Sequence, residues 1–425
     1  MLEPVRLGID SLGRRGEGVS STLGDRIYVP YALPGETVLA DVDGERGHLR
    51  QILEPRPDRV TPFCRYFGRC GGCAVQSLPP EPYADWKRGL VVQALAQHGL
   101  HPAVQPLIDA HGAGRRRITV HAAAQSHEER RPPVGFMEAR SHRIVDIDAC
   151  PILDPGLAGA LPAARRLAAA LAHTGKPLDI LVTRTGSGLD VDLRGVGRLD
   201  DALTLRLVGL ARDLDLARLS NHGVSLIEAR APVLPMGEAM LVLPPGAFLQ
   251  ATVAGEEILA GLVEAGIGRA RRVADLFCGV GTFALRLARS RAVEAWDSEP
   301  RAIAALARAA QSTPGLRGVK ATARDLMRRP LLADDLRGFD ALVFDPPRAG
   351  AAAQAAQIAH AGVPSVVAVS CDPGTFARDA SVLVGAGYAI DQVTPVDQFR
   401  HSAHVELVAV FRRAKPKERR RRLLS

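Results

Sequence analysis

An α/β protein is predicted, with a Rossmann-like, doubly wound sheet filling the C-terminal part of the 425-residue chain. Three observations predict it. From Leu243-Pro244-Pro245-Gly246 onward, apolar strand-like runs alternate with helical ones, as repeated strand–helix–strand units require. The run Val366-Val367-Ala368-Val369 is β-branched and unbroken, the pattern of a strand buried on both faces, and it stops at Ser370-Cys371-Asp372-Pro373. Two further runs end the same way, Ala341-Leu342-Val343-Phe344 in Asp345-Pro346-Pro347-Arg348, and Arg272-Val273-Ala274-Asp275-Leu276-Phe277 in Cys278-Gly279-Val280-Gly281-Thr282. Open α/β sheets bind ligands at the carboxyl ends of their strands, so three polar endings predict one site.

A chain of this length calls for two or three domains. Its formal charge is +8, from 54 Lys and Arg against 46 Asp and Glu. Part of the excess sits in a basic tail at 415–425, read as a solvated end. The remainder includes Arg14, Arg15, Arg46, Arg50, Arg115 to Arg117, Arg130 and Arg131, which favours a polyanionic partner. No run approaches a membrane-spanning length, and the first residues lack an apolar signal-peptide core. A cytoplasmic monomer working away from membranes is expected. The six cysteines are clustered or placed at strand ends, which suits metal binding or catalysis better than disulfides.

Taken in order, residues 1–57 read as a small OB-like β-barrel, with strands at 27–30, 37–42 and 48–53 between turn signals at Gly13 to Gly18, Pro34-Gly35 and Asp43-Gly44. Residues 58–245 read as an α+β central domain. It opens on Cys64-x5-Cys70-x2-Cys73, whose spacing brings three sulfurs to one centre; Cys150 is the one other cysteine before the C-terminal domain. Four thiolates suit a structural zinc or an iron–sulfur cluster, and spacing does not choose between them. Helices are expected at 83–98, 157–173 and from Gly209 to Leu219, and strands at 178–183 and 188–193. Residues 246–414 carry strands at 271–277, 292–297, 318–323, 339–345, 364–370, 387–394 and 404–411. The first five should be parallel with right-handed crossovers, and the last two an antiparallel hairpin. That seven-stranded ending suits a methyltransferase better than a dehydrogenase.

Gly279-Val280-Gly281-Thr282-Phe283-Ala284 fits G-x-G-x-x-A, with Asp297 ending the next strand. Such glycines let backbone approach a nucleoside, and such an acid accepts hydrogen bonds from ribose. NAD and S-adenosylmethionine share the pattern; Asp275, on the strand itself, favours the latter. The two prolines after Asp345 hold its carboxylate in one direction, suited to a planar amide-like base or a cofactor amine. Cys371 precedes a helix start at Gly374-Thr375, where a lowered thiol pKa is expected. A thiolate beside a methyl donor suits addition to C6 of a pyrimidine, which makes C5 nucleophilic. A base must then remove the C5 proton. Glu406 is the candidate, because a carboxylate in an apolar strand is costly unless used. His401 and His404 read as orienting or structural. Each residue alone has a bland reading, as core filler, strand-ending turn or surface acid; together they point to one reaction.

With these residues in hand, the chain resembles the S-adenosylmethionine-dependent RNA uracil-5-methyltransferases, in particular the 23S ribosomal RNA branch carrying an N-terminal TRAM barrel and an iron–sulfur cluster. The carriers are the four cysteines, Phe248-Leu249-Gln250, Asp275-Leu276-Phe277-Cys278-Gly279, Asp345-Pro346-Pro347-Arg348-Ala349-Gly350, Ser370-Cys371-Asp372-Pro373 and His404-Val405-Glu406. The resemblance implies a [4Fe-4S] cluster on Cys64, Cys70, Cys73 and Cys150, and cofactor contacts from Gln250, Phe277, Asp297 and Asp345, with Gly279 and Thr282 in the cofactor loop. It also implies a nucleophile at Cys371, a base at Glu406, and a segment at 80–104 packed on the catalytic domain. Thr282 stands where the family usually has Asn, Asp297 where it has Glu, Thr252 where it has Asn, and Gln398-Phe399-Arg400 lacks the usual proline. Transfer RNA is the alternative substrate. An NAD-dependent iron–sulfur oxidoreductase would leave Cys371 and Glu406 without roles, and a non-catalytic RNA-binding module would leave the whole site without one.

Overall fold

The computed structural model describes residues 3–22, 24–124 and 132–413; Arg130, Arg131 and the basic tail at 415–425 lie outside the described residues. The N-terminal unit is a six-stranded sheet in the order Val5–Gly8, Thr37–Asp43, Arg46–Glu54, Ile27–Val29, Gly18–Ser20, Ser11–Leu12. Alternate residues of these strands (Leu7, Ile27, Val29, Val38, Ala40) turn inward to form its own small core. Three short strands before Ile27 were not read from sequence: they are two to four residues long and sit among glycines.

A seven-stranded sheet follows, with Leu178–Thr185 and Gly188–Arg194 at its middle and the helices Ala160–Leu171 and Asp201–Asp213 packed on it. The helix expected from Gly209 to Leu219 instead spans Asp201–Asp213, and Arg218–Asn221 is a strand. The Asp200 carboxylate caps that helix by accepting the Leu203 amide at 2.7 Å. Arg218 escapes the strand pattern because it is buried in a paired contact with Asp190 at 2.8 Å.

The third sheet has eight strands: Val319–Ala323, Ala292–Asp297, Arg272–Leu276, Ala341–Phe344, Ser365–Ser370, Glu406–Arg413, Tyr388–Asp397 and Ile108–Asp109. The first five pair in parallel, and Glu406–Arg413 lies antiparallel between Ser365–Ser370 and Tyr388–Asp397. The eighth strand, absent from the sequence reading, is two residues contributed from before the central sheet. Apolar residues fill both faces of this sheet. The Val233–Met236 and Ala239–Val242 hairpin packs Leu234, Met236, Ala239 and Leu241 into one of these cores, ahead of residue 246. The helix Pro80–Gln97 packs Val91, Ala94 and Leu95 into the other. No helix among the described residues is long and apolar enough to cross a membrane.

Candidate active site

Strand register places the chemistry. Leu276 pairs with Phe344 and with Trp296, Phe344 pairs with Ala368, and Ser370 pairs with Leu407. The residues that follow the parallel strands therefore share one rim. Glu406 reaches the same rim because its strand runs the other way and begins there.

Phe277 ends its strand with φ +64°, a conformation an aromatic residue rarely adopts, and its ring meets Phe344 edge-on at 5.9 Å. The glycine loop then turns. A Cβ on Gly281 would lie 2.4 Å from Leu306 Cδ1, so this glycine is needed for close helix packing. Gly279 has φ +55° and nothing within 4 Å of where a Cβ would stand, so it faces open space. Its amide donates to Asp297 Oδ2 at 2.9 Å, while Asp297 Oδ1 accepts from the Glu299 amide at 2.9 Å. The turn therefore sets the direction of the Asp297 carboxylate. Thr282 is buried, and its carbonyl accepts from Arg286.

The acids on this rim are uneasy. Asp275 is wholly buried with no partner at hydrogen-bonding geometry, the Ala284 amide offering only a weak approach. Burial, then Asp345, pushes its pKa well above the usual carboxylate range. Asp345 is raised to about 7 by burial and then by Asp297. Glu406 is 4 % exposed and raised to about 8, by burial and then Asp345. Asp345 thus bears on both Asp275 and Glu406, the acid common to the two.

Cys371 is half-buried and faces the same acids. The lowered thiol pKa expected from the helix start is overturned: burial, then Glu406 and Asp345, pushes it up to about 12. The helix start does not offset this, because it is capped. The helix spans Pro373–Gly385, and the Asp372 carboxylate takes its free amides, Gly374 at 2.9 Å and Thr375 at 3.1 Å. Those donors are spent on Asp372, not the thiol. Arg348, ending the Asp-Pro-Pro loop, reaches Asp372 at 3.5 Å, and Thr375 Oγ1 donates to the Arg348 carbonyl at 3.0 Å. The loops after two neighbouring strands are thereby tied together.

Gln250 is buried just before Thr252, which caps the helix Val253–Ile267 by accepting the Gly255 amide at 2.8 Å. Behind the rim, Lys87 is fully buried and pairs with Asp397 at 2.7 Å, while Tyr83 donates to the other Asp397 oxygen. Lys87 also donates to the Phe399 and His404 carbonyls, so it braces the turn that delivers Glu406. Buried Arg116 pairs with Glu256, which also takes Arg286, and Arg116 Nε donates to the Gln250 carbonyl at 3.1 Å. Sequence reasoning missed these braces. Lys87 was findable: it lies four residues after Tyr83, on the face shared with Val91 and Ala94.

Cys64, Cys70, Cys73 and Cys150 line one cavity of about 400 Å³, with Arg115, Arg117, Glu138 and Arg140. Burial pushes the Cys70 and Cys73 thiols up, and Cys150 up to about 12. Gly71 passes so close to the 137–139 segment that a Cβ would lie 3.1 Å from the Ala139 backbone. Among the described residues, no three His, Cys, Asp or Glu side chains converge as they would around a single ion.

A parallel sheet closed by one antiparallel strand, with a glycine loop and acids at its carboxyl rim, is the architecture of a nucleoside-cofactor transferase. The chain belongs to the RNA methyltransferases. It is 46% identical over 406 residues to an uncharacterized RNA methyltransferase of Brucella suis, covering 96% of this chain and 97% of that one. It is 45% identical to another from Caulobacter vibrioides, covering 96% and 99%. It is 32% identical over 440 residues to the 23S rRNA (uracil(1939)-C(5))-methyltransferase RlmD of Alkalilimnicola ehrlichii, covering 97% of each. The fold matches the Pyrococcus abyssi tRNA (uracil-54, C5)-methyltransferase solved with S-adenosyl-L-homocysteine, at TM-score 0.73 and 22% identity over 96% of this chain and all of that one. No family model matches.

Proposed function

We propose that this protein methylates C5 of a uridine in 23S ribosomal RNA, using S-adenosylmethionine and a covalent adduct on Cys371. One observation carries the reading: thiol, base candidate and acid loop share the rim with an open glycine loop. The residues present fit the cofactor. An unpartnered buried Asp275 and a raised Asp345 suit a ligand bearing a positive charge, and Asp297, held by the Gly279 amide, suits ribose hydroxyls. Phe277, Thr282 and Gln250 complete the proposed cofactor contacts.

S-adenosylmethionine supplies the electrophilic methyl group. The uridine leaves its stack to reach the rim, and Asp345 orients it or the cofactor. After the thiol proton passes to solvent, the Cys371 sulfur bonds to C6 and the C5–C6 π pair shifts to an enolate; C5 then takes the methyl group as its bond to the sulfonium breaks, and S-adenosylhomocysteine would leave. Glu406, ionised, then removes the C5 proton, the C5–C6 double bond re-forms, and the sulfur leaves as thiolate. The raised thiol pKa has a consequence: burial, and then Glu406 and Asp345 whenever they are ionised, oppose thiolate formation, so positive charge in the site would favour the nucleophile.

The N-terminal sheet is proposed as the TRAM barrel, with Arg14 and Arg15 toward RNA. The cysteine cavity suits a [4Fe-4S] cluster: four cysteines line one cavity of about 400 Å³, room for more than a single ion. Cys64, Cys70, Cys73 and Cys150 would hold it. The expected domains are a barrel at 1–57, a central domain at 58–245 and a catalytic domain at 246–414.

Cys371→Ala tests the mechanism: with RNA and labelled cofactor it should transfer no methyl group, and undiminished transfer would end the covalent reading. Mapping 5-methyluridine in RNA from a deletion strain tests the substrate; loss from transfer RNA alone would overturn the ribosomal assignment.

A further inference from the structure

Gln398 lies in the stretch that lacks the usual proline, and it is fully buried beside both the proposed cofactor glutamine and the proposed base. Its Oε1 accepts the Ala251 amide at 2.8 Å and the Thr252 amide at 3.4 Å. Two backbone N–H groups can face only the oxygen, so the direction of this side-chain amide is fixed by its surroundings. A Cβ on Gly255 would lie 2.7 Å from the same oxygen, so the helix start leaves just enough room for it.

The other end follows by necessity. Gln398 Nε2 donates to Gln250 Oε1 at 2.6 Å; Val396 pairs with Glu406 across the hairpin, so Gln398, two residues on, stands near that carboxylate, where it opposes the rise that burial and Asp345 impose. An amide nitrogen carries two hydrogens, so one N–H remains after the bond to Gln250. With its Oε1 occupied, Gln250 has its NH₂ left for a ligand.

We propose that Gln398 is a positioning residue joining cofactor binding to proton removal: it turns the Gln250 NH₂ toward the cofactor and presents its remaining amide N–H on the Glu406 side of the hairpin end. This rests on the function proposed above. Gln398 touches neither reacting carbon, so its effect is exerted through Gln250 and Glu406. The groups facing Glu406 are Asp345 and Cys371 from the neighbouring strand ends and Lys87 from the Pro80–Gln97 helix.

The test uses the full chain with Gln398→Met, which removes every hydrogen bond, and Gln398→Glu, which keeps the acceptor for residues 251 and 252 and loses the donors. Calorimetry measures S-adenosylhomocysteine binding without RNA; steady-state rates across pH measure turnover. Both variants should bind S-adenosylhomocysteine about tenfold more weakly. KM for the methyl donor should rise in parallel, with KM for RNA unchanged. The acid limb of the kcat profile should move to higher pH, because Glu406 loses a nearby amide N–H dipole that favours its ionised form. A folded variant with unchanged affinity and an unmoved acid limb would overturn the proposal. Should Gln398→Met not fold, Gln250→Met supplies the second test: in that background Gln398→Glu should cost no further affinity, and another tenfold loss would overturn the coupling. A wild-type enzyme that methylates no RNA would count against the proposed function, while the binding measurements would still decide the role of Gln398.

Discussion

Lys87 and Asp275 are both ionisable side chains sealed from solvent in the same domain, and their surroundings could hardly differ more. Lys87 has a carboxylate at 2.7 Å and two carbonyls; Asp275 has no partner at bonding geometry and a second acid for a neighbour. The contrast extends outward from each. Behind the rim, charges are matched, as Lys87 with Asp397 and Arg116 and Arg286 with Glu256. On the rim, Asp275, Asp345, Glu406 and Cys371 are all held toward their uncharged forms. Burying an unmatched charge costs several kcal/mol, so the rim carries a cost that a cationic ligand relieves. Matched charges position; unmatched ones wait for chemistry.

The largest effect should come from the unmatched side. Glu406→Gln keeps shape and burial and removes the proposed base, so kcat should fall by about 10²–10⁴. In the proposed mechanism addition and methyl transfer precede proton removal, so this variant should accumulate a covalent RNA–protein species that survives denaturation. A variant that turns over normally, or is slow without accumulating adduct, would remove Glu406 from that step.

On the matched side the effect should be on stability first. Lys87→Met leaves Asp397 buried beside Tyr83 without its cation, and breaking one member of a buried pair costs about 3–5 kcal/mol, read as a lowered Tm. Lys87→Met with Asp397→Leu should recover much of that loss, since two apolar groups can replace a buried pair. Activity should not return with it, because the Phe399 and His404 carbonyls that Lys87 holds would remain unbraced. Full recovery of both would make the pair structural filler.

The two regions also differed in how well the sequence announced them. Asp345 and Cys371 were legible because they follow apolar strand runs, and Asp275 and Glu406 because an acid within such a run is costly unless used. Gln398 and Arg116 were not, because nothing in their local pattern shows which distant backbone atoms they will meet. Gln398 finds Ala251 and Thr252, and Arg116 finds the Gln250 carbonyl. The thiol of Cys371 was misread for a related reason: local sequence showed a helix start, but the claim of Asp372 on its amides and the approach of Glu406 are tertiary facts. Short strands such as Ser11–Leu12 and Ile108–Asp109 are fixed by their neighbours rather than by their own residues.

The smallest expected effect sharpens the contrast through pH. Asp345 is raised to about 7 and Glu406 to about 8, against unfolded values near 4. The folded state thus holds protons that the unfolded state has released between about pH 4 and 8. Stability from these two groups is present at acid pH and is lost as pH climbs through that window, by about 1.4 kcal/mol per pH unit for each group while it differs between states. S-adenosylhomocysteine carries a cationic amine, and binding it favours the ionised acids. Its affinity should therefore improve as pH rises from 6 to 8, and it should raise Tm more at pH 8 than at pH 6. The matched pairs predict no such trend, so Asp345→Asn should flatten it while Lys87→Met lowers Tm at both pH values. A ligand-induced Tm increment that is flat with pH in the wild-type protein would mean that the rim acids are already satisfied, and the distinction between the two regions would fail.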